Sequence, residues 1–247
     1  MQAFIYSFLA GISTVLGVVV LLLFGKPNNK LLASLLGFAG GIMLAISVFE
    51  LLPEAVVLSS MRVSVFAFIL GALMMFGLDK FIPHSHLSTS DHLEIENPEK
   101  LKMHLTMQRT GFLIFFGIGI HNLPEGLAIG AGLESSPEIG LFIAIAIALH
   151  NIPEGLAIAG PLKSGGTKNY KIILFALGAG LMTPLGTLIS LVVFNISTVL
   201  VGAFLAFAAG AMVYIVNDEL IPQSNIIHSH FANAGVILGL LLGFAIL

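Results

Sequence analysis

Apolar residues fall in eight blocks along the chain, at 4–24, 31–52, 63–78, 111–133, 139–162, 172–194, 199–220 and 232–247, separated by short polar connections. Most are close to the roughly 20 residues a helix needs to cross a hydrocarbon core; the third and the eighth are the shortest. The pattern predicts an all-α integral membrane protein with eight transmembrane helices and residues 1–247 as a single transmembrane domain. No basic segment precedes the first block, and no small-residue cleavage site follows it. It therefore reads as a retained helix rather than a signal peptide.

Composition strengthens this picture. Hydrophobic residues make up 57% of the chain and charged residues 9%, with a mean hydropathy of +1.04, more apolar surface than a soluble core can hide. The absence of cysteine excludes disulfides and thiolate ligands, and weighs against copper(I). The basic residues are too few and scattered for nucleic acid, which is not an expected partner. Their distribution does carry orientation. Lys26, Lys30, Lys80, Lys100, Lys102, Arg109, Lys163, Lys168 and Lys171 fall between blocks on one side, against Arg62 alone on the other. By the positive-inside rule the larger set faces the cytoplasm, so both termini lie outside and the protein is expected to be multi-pass in the plasma (inner) membrane. Residues 81–110 then form a cytoplasmic connection, mixed in charge and containing His84, His86, His92 and His104, with little to bury; it is expected to be mobile.

The fourth and fifth blocks carry the chemistry. His121-Asn122-Leu123-Pro124-Glu125-Gly126-Leu-Ala-Ile recurs as His150-Asn151-Ile152-Pro153-Glu154-Gly155-Leu-Ala-Ile. In each copy His and Glu are four apart, and Asn and Glu three apart, so the three polar groups share a helix face. Each His lies about 15 Å into its block, near the middle of a ~30 Å core, and the short connection between the blocks makes them an antiparallel hairpin. One composite nitrogen and oxygen site at the midplane results. Imidazole with carboxylate suits a divalent transition metal, whereas oxygen alone would suit calcium or magnesium. Interhelical packing gives too small a return to explain these residues. It gains roughly 0.6 kcal/mol per polar contact, whereas a charge at the centre of a spanning helix costs about 2.5–3.5 kcal/mol on insertion scales. The prolines remove a backbone N–H and are expected to loosen both helices at the motif.

Paired motifs on adjacent central blocks resemble those of the ZIP (Zrt/Irt-like) metal transporters, particularly their prokaryotic branches. Further matching segments are Gly41-Ile42-Met43-Leu44-Ala45, Leu51-Leu52-Pro53-Glu54-Ala55, Thr183-Pro184-Leu185-Gly186, Ala209-Gly210-Ala211-Met212 and Glu219-Leu220-Ile221-Pro222, so the resemblance covers the whole chain. It implies a ZIP-like bundle, a homodimer, one group of spans moving against a scaffold, and uptake into the cytoplasm of Zn2+ or Fe2+, with Mn2+, Cd2+ and Co2+ as further candidates. It also implies that His121, Glu125, His150 and Glu154 ligate the transported ion, that Met43 lends a soft donor, and that Asn122 and Asn151 belong to an adjoining second site. Similar proteins often carry Glu where this chain has Thr183. The second site therefore lacks a carboxylate and is expected to be weaker or differently occupied.

Acidic residues flank the expected path: Glu50 and Glu54 at the outer end of the second block, Asp218 and Glu219 at the inner end of the seventh. There they would concentrate cations. His84 and His86, and His228 and His230, form His-x-His pairs at the cytoplasmic face that would receive or sense metal. No resident cofactor is expected, only the transported ion, and no enzymatic activity. An intramembrane metalloprotease is the enzyme alternative, but it would use His-Glu-x-x-His, which is absent. A passive metal channel would use the same residues and stays open at this point.

Overall fold

A computed structural model describes residues 2–25, 27–81, 85–87, 93–95, 107–164, 166–194 and 197–246. The described chain is helical apart from two three-residue strands. In order it runs α1 (Gln2–Phe24), α2 (Asn29–Ile46), a π-helical turn (Ser47–Leu51), α3 (Leu52–Leu58), α4 (Met61–Phe81), β1 (Ser85–Leu87), β2 (Leu93–Ile95), α5 (Met107–Ser135), α6 (Pro137–Ser164), α7 (Asn169–Gly180), α8 (Met182–Phe194), α9 (Thr198–Ile215), a second π turn (Val216–Leu220) and α10 (Ile221–Ile246). Among the described residues six helical stretches are long and apolar enough to cross a membrane: Gln2–Phe24, Asn29–Leu58, Met61–Leu78, Pro137–Gly160, Asn169–Val192 and Thr198–Ala245. Gly25 (φ 81°) and Gly166 (φ 76°) supply the left-handed residues after α1 and α6, where other side chains would be strained. Asn28 and Ser197 cap α2 and α9 by accepting from Leu31 N–H and Val199 N–H.

Several boundaries differ from the expected blocks. The second helical run continues to Leu58, so Glu50 lies inside it rather than at its end. The sixth block is two helices meeting at Leu181. His228 lies where the Ile221–Ile246 stretch breaks between two helices, its backbone extended (φ −168°, ψ 98°), and His230 follows in the first turn after the break. Within 81–110, β1 and β2 pair antiparallel with His86 opposite Glu94, and α5 begins at Met107, four residues before the expected start. His84, His92 and His104 lie outside the described residues. The motif prolines leave α5 and α6 continuous through Pro124 and Pro153. The irregular turns occur instead before Pro53 and Pro222, each as five residues of π-helix with a Glu at the fourth position, Glu50 or Glu219.

Two groups of helices pack within themselves. One contains α1, α5, α6, α7 and α8; the other contains α2, α3, α4, α9 and the end of α10. In lipid, apolar surface gives helices little reason to associate, so close backbone approach through small residues takes over. Gly155 of α6 abuts the Thr14 carbonyl of α1, Gly126 of α5 abuts the Thr183 carbonyl of α8, Gly41 of α2 abuts Val236 of α10, and Gly71 of α4 abuts Phe207 of α9. A Cβ at any of these would overlap backbone. In each of the four pairs the helices run parallel, as successive contacts rise together in both.

The four pairs are two copies of one arrangement. Ala10, Gly11, Thr14 and Gly17 of α1 recur 169 residues later as Ala179, Gly180, Thr183 and Gly186. At the same separation Gly41, Met43, Ile46, Glu50, Leu51 and Pro53 recur as Gly210, Met212, Ile215, Glu219, Leu220 and Pro222, and one π turn falls on the other. α2 and α9 run in opposite directions, since Ser47 meets Met212 while Ala55 meets Gly202. The repeat is therefore inverted, with the two motif helices α5 and α6 exchanging places at its centre. Gly11 and Gly180 touch each other's backbone where the copies cross. Gly180→Ala is expected to cost about 1–3 kcal/mol by overpacking and to lower the unfolding temperature of the detergent-solubilised protein. Gly160→Ala, with nothing within 4 Å of the new Cβ, should leave it unchanged.

Candidate metal centre

His121 and His150 sit near the middle of α5 and α6, and the repeated motif makes their contacts reciprocal. His121 Nε2 lies 3.1 Å from Glu154 Oε1, and His150 Nε2 lies 2.9 Å from Glu125 Oε1. His150 Nε2 is also 4.0 Å from Glu154 Oε1. All four side chains are buried; none exceeds 3% exposure. The Pro-Glu-Gly part of each motif explains the local packing. Without a side chain at Gly126 or Gly155, the neighbouring helix closes directly over the carboxylate's own turn.

His150 Nδ1 donates to the Ala146 carbonyl at 3.1 Å, which fixes the tautomer and turns Nε2 toward the carboxylates. A divalent cation held by Nε2 and Glu125 would take the place of the 2.9 Å contact between them. Ligand atoms from His121, Glu125 and Glu154 lie within 4.8 Å of one another. Ligands about 2.0–2.2 Å from a zinc ion stand roughly 3.3–3.5 Å apart in a tetrahedron, so small side-chain rotations close the set on an ion.

Asn122 and Asn151 are anchored outward. Asn122 Nδ2 donates to the Ala179 carbonyl at 3.0 Å and Asn151 Nδ2 donates to the Ala10 carbonyl at 2.9 Å. These acceptors are repeat-related, and the bonds tie the motif helices to α8's predecessor α7 and to α1. With both amide nitrogens committed, each Oδ1 is left without a partner among the described residues.

The remaining candidate residues are not all gathered here. Met43 is fully buried, in the same apolar cluster as Ala146 and Ile147, the turn before His150. Glu219 interacts electrostatically with His121 from its π turn on α9. Asp218, half-buried, lines a cavity of about 330 Å³ between α4 and α9 with Phe68, Ala72, Tyr214 and Asn217. Glu50, also half-buried, neighbours Glu54, whose carboxylate accepts from the Ser135 hydroxyl at the end of α5. His228 and His230 stand with ring centroids 6.5 Å apart, remote in sequence from the motif. Sequence reasoning passed over Thr14, for which the signal was its match to Thr183 169 residues later; Met212, quoted only within a matching segment, is the equivalent of Met43 at the same separation.

A multi-pass helical membrane protein with an acidic, imidazole-bearing, fully enclosed centre on two adjoining helices is the class these features define. The sequence profile of the ZIP zinc transporter family matches residues 79–247, and the chain belongs to that family. Among curated relatives, the zinc transporter ZupT of Escherichia coli O7:K1 (strain IAI39 / ExPEC) is 39% identical over 248 aligned residues, covering 98% of this chain and 95% of the relative. ZupT of Escherichia coli O127:H6 (strain E2348/69 / EPEC) gives the same identity and coverage, as does that of strain K12 / DH10B.

The reciprocal geometry predicts unequal losses. Glu154→Gln should weaken Zn2+ binding by more than the roughly 10–100-fold that loss of an outer partner costs. Glu54→Gln, bonded to Ser135 instead, should change it by less than about threefold. Isothermal titration of the purified protein reads both.

Proposed function

We propose that this chain transports divalent transition metal ions, zinc foremost and iron next, across the plasma (inner) membrane into the cytoplasm, through the His121, Glu125, His150 and Glu154 centre. The observation that carries the reading is the reciprocal pairing of two imidazoles with two carboxylates, all buried, between two adjoining helices, in a member of the ZIP family whose relatives are named zinc transporters. Mn2+, Cd2+ and Co2+ suit the same donors. The transported ion is the only metal the function needs, and the chain acts as a transporter rather than an enzyme.

Eight crossings follow from three features. The Thr198–Ala245 stretch has 48 residues, about 72 Å of helix against a core of about 30 Å, and its break at His228 divides it into two spans. α5 adds another, its hydropathy lowered by the motif itself. Together with the five remaining stretches these make eight, which puts both ends of the chain on the same side, outside by the distribution of Lys and Arg. Residues 1–247 then form one transport domain, with 81–110 as its cytoplasmic connection. Homodimer formation belongs to the same proposal through the family resemblance.

Glu50 in one π turn and Asp218 with Glu219 in the other are repeat-related ports on opposite sides of the centre, and Met43 adds a thioether near His150. Asn122 and Asn151 present their free carbonyl oxygens to an adjoining second site. Purified protein in liposomes loaded with a metal-sensitive dye tests the reading metal by metal, with a pH gradient imposed or collapsed. Wild-type protein is expected to admit Zn2+, and His121→Ala or Glu125→Ala to reduce influx to the protein-free level with unchanged reconstitution. Normal influx through both variants would end the proposal, and saturable rather than linear influx separates a carrier from a passive channel.

A further inference from the structure

Two methionines, Met43 on α2 and Met212 on α9, occupy equivalent positions of the inverted repeat. Both are buried, in the apolar cluster that also holds Ala146 and Ile147, the turn before His150. The antiparallel packing of α2 and α9 sets each methionine against the residue one turn beyond the other. Met212 meets Ser47. At the matching point Met43 falls opposite Val216, whose Cγ1 lies 3.3 Å from where a Cβ on Gly40 would stand.

The repeat thus offers two soft donors and treats them differently. Ser47 Oγ donates to the Met43 carbonyl at 2.7 Å and lies 3.6 Å from Met212 Sδ. Val216, at the same place in the other half, carries only methyl groups. Met212 Sδ therefore has a polar partner, whereas no hydrogen-bond donor meets Met43 Sδ among the described residues. A thioether is a weak acceptor and the hydroxyl proton is shared with a carbonyl, so the contact is modest. It acts, however, on an unbranched side chain with three rotatable bonds, whose rotamers differ little in energy.

Met212 is placed to matter at the metal centre. α9 packs on α5 as α2 packs on α6. Ala211 and Ile215, on either side of Met212 along α9, pack with Ile120, the neighbour of His121. Met212 thus stands to His121 as Met43 stands to His150.

We infer that Met212 is a second thioether donor for the metal centre, held back by Ser47, and that Ser47 and Val216 together set how many soft donors a bound ion receives. The inference rests on reading His121, Glu125, His150 and Glu154 as that centre. Zinc is well served by imidazole and carboxylate. Cadmium has the same charge and a filled d shell but is softer, so an added sulfur favours it more. One free thioether beside one engaged thioether keeps the centre on the zinc side. A hydroxyl opposite both would harden it, and a hydroxyl opposite neither would open it to cadmium.

The ratio of Cd2+ to Zn2+ affinity, measured by isothermal titration of the detergent-solubilised full-length protein, tests this. Ser47→Ala should raise the ratio about fivefold or more by releasing Met212, and adding Met212→Leu should return it to the wild-type value. Met212→Leu alone should leave the ratio within about twofold of wild type. Val216→Thr, which keeps the valine's shape and sets a hydroxyl opposite Met43, should lower it about fivefold. An unchanged ratio in Ser47→Ala would overturn the inference. So would a rise that survives Met212→Leu, since it would come from the lost hydroxyl's space and not from the sulfur. If Ser47→Ala does not survive purification, Val216→Thr decides alone, an unlowered ratio being the adverse result. Zn2+ affinity in His121→Ala is scored separately. No loss there would overturn the centre and this inference with it, whereas a centre that needs His121 but ignores Ser47 refutes the inference only.

Discussion

Two carboxylates and two imidazoles enclosed between packed, apolar helices constrain everything around them. Each would be prohibitive alone, since a charged group at the centre of a spanning helix costs several kcal/mol and an unpaired one finds no water to solvate it. The solution is reciprocity: His121 answers Glu154 and His150 answers Glu125 across the α5–α6 hairpin. This pairing works only if the two helices are antiparallel, level with each other and shielded from lipid on their outer sides. The remaining helices supply that shield, α1 and α8 against the motif turns and α2 and α9 beyond them.

Shielding of this kind depends on how closely helices approach. Apolar packing drives little association in lipid, so the closest contacts are made by glycines whose neighbours' carbonyls occupy the space a side chain would fill. The glycine ending each His-Asn-x-Pro-Glu-Gly motif therefore has a definite mechanical role. It brings the α1 or α8 backbone against the turn that holds the carboxylate, and the asparagine bond to Ala10 or Ala179 then fixes the rotation of the motif helix relative to that neighbour. Ligand geometry and helix packing are one set of contacts.

Much of this was legible in the chain. The apolar blocks anticipated an all-helical chain, six of whose described stretches are long and apolar enough to span a membrane, and the motif spacing of four placed His and Glu of each copy on one face. Family membership, read from those motifs, is borne out. What stayed hidden has physical reasons. Prolines were expected to loosen α5 and α6, yet both helices continue through them, because enclosing neighbours hold the backbone in place; the irregular turns lie before Pro53 and Pro222 instead. The break at His228 has no glycine or proline to announce it. The 169-residue repeat escaped because its matches are single positions, Gly11 and Gly180 or Met43 and Met212, whose importance appears only when the helices are packed.

An inverted repeat with identical halves would present the same surface to both sides of the membrane, so any difference between the sides resides in the positions where the halves disagree. The π turns, which coincide in the two halves, differ in several side chains. Glu54, bonded to Ser135, corresponds to Gln223, which is buried; Ser47, whose hydroxyl bridges the Met43 carbonyl and the Met212 sulfur, corresponds to Val216; and Phe49 corresponds to Asp218. One turn thus keeps its second carboxylate one residue beyond the proline, and the other keeps it beside Glu219 within the turn itself. Glu50 and Glu219 are common to both turns, while the second acid of each sits at a different place along its helix, so the two halves of the repeat differ in the spacing of their carboxylates even where their backbones match.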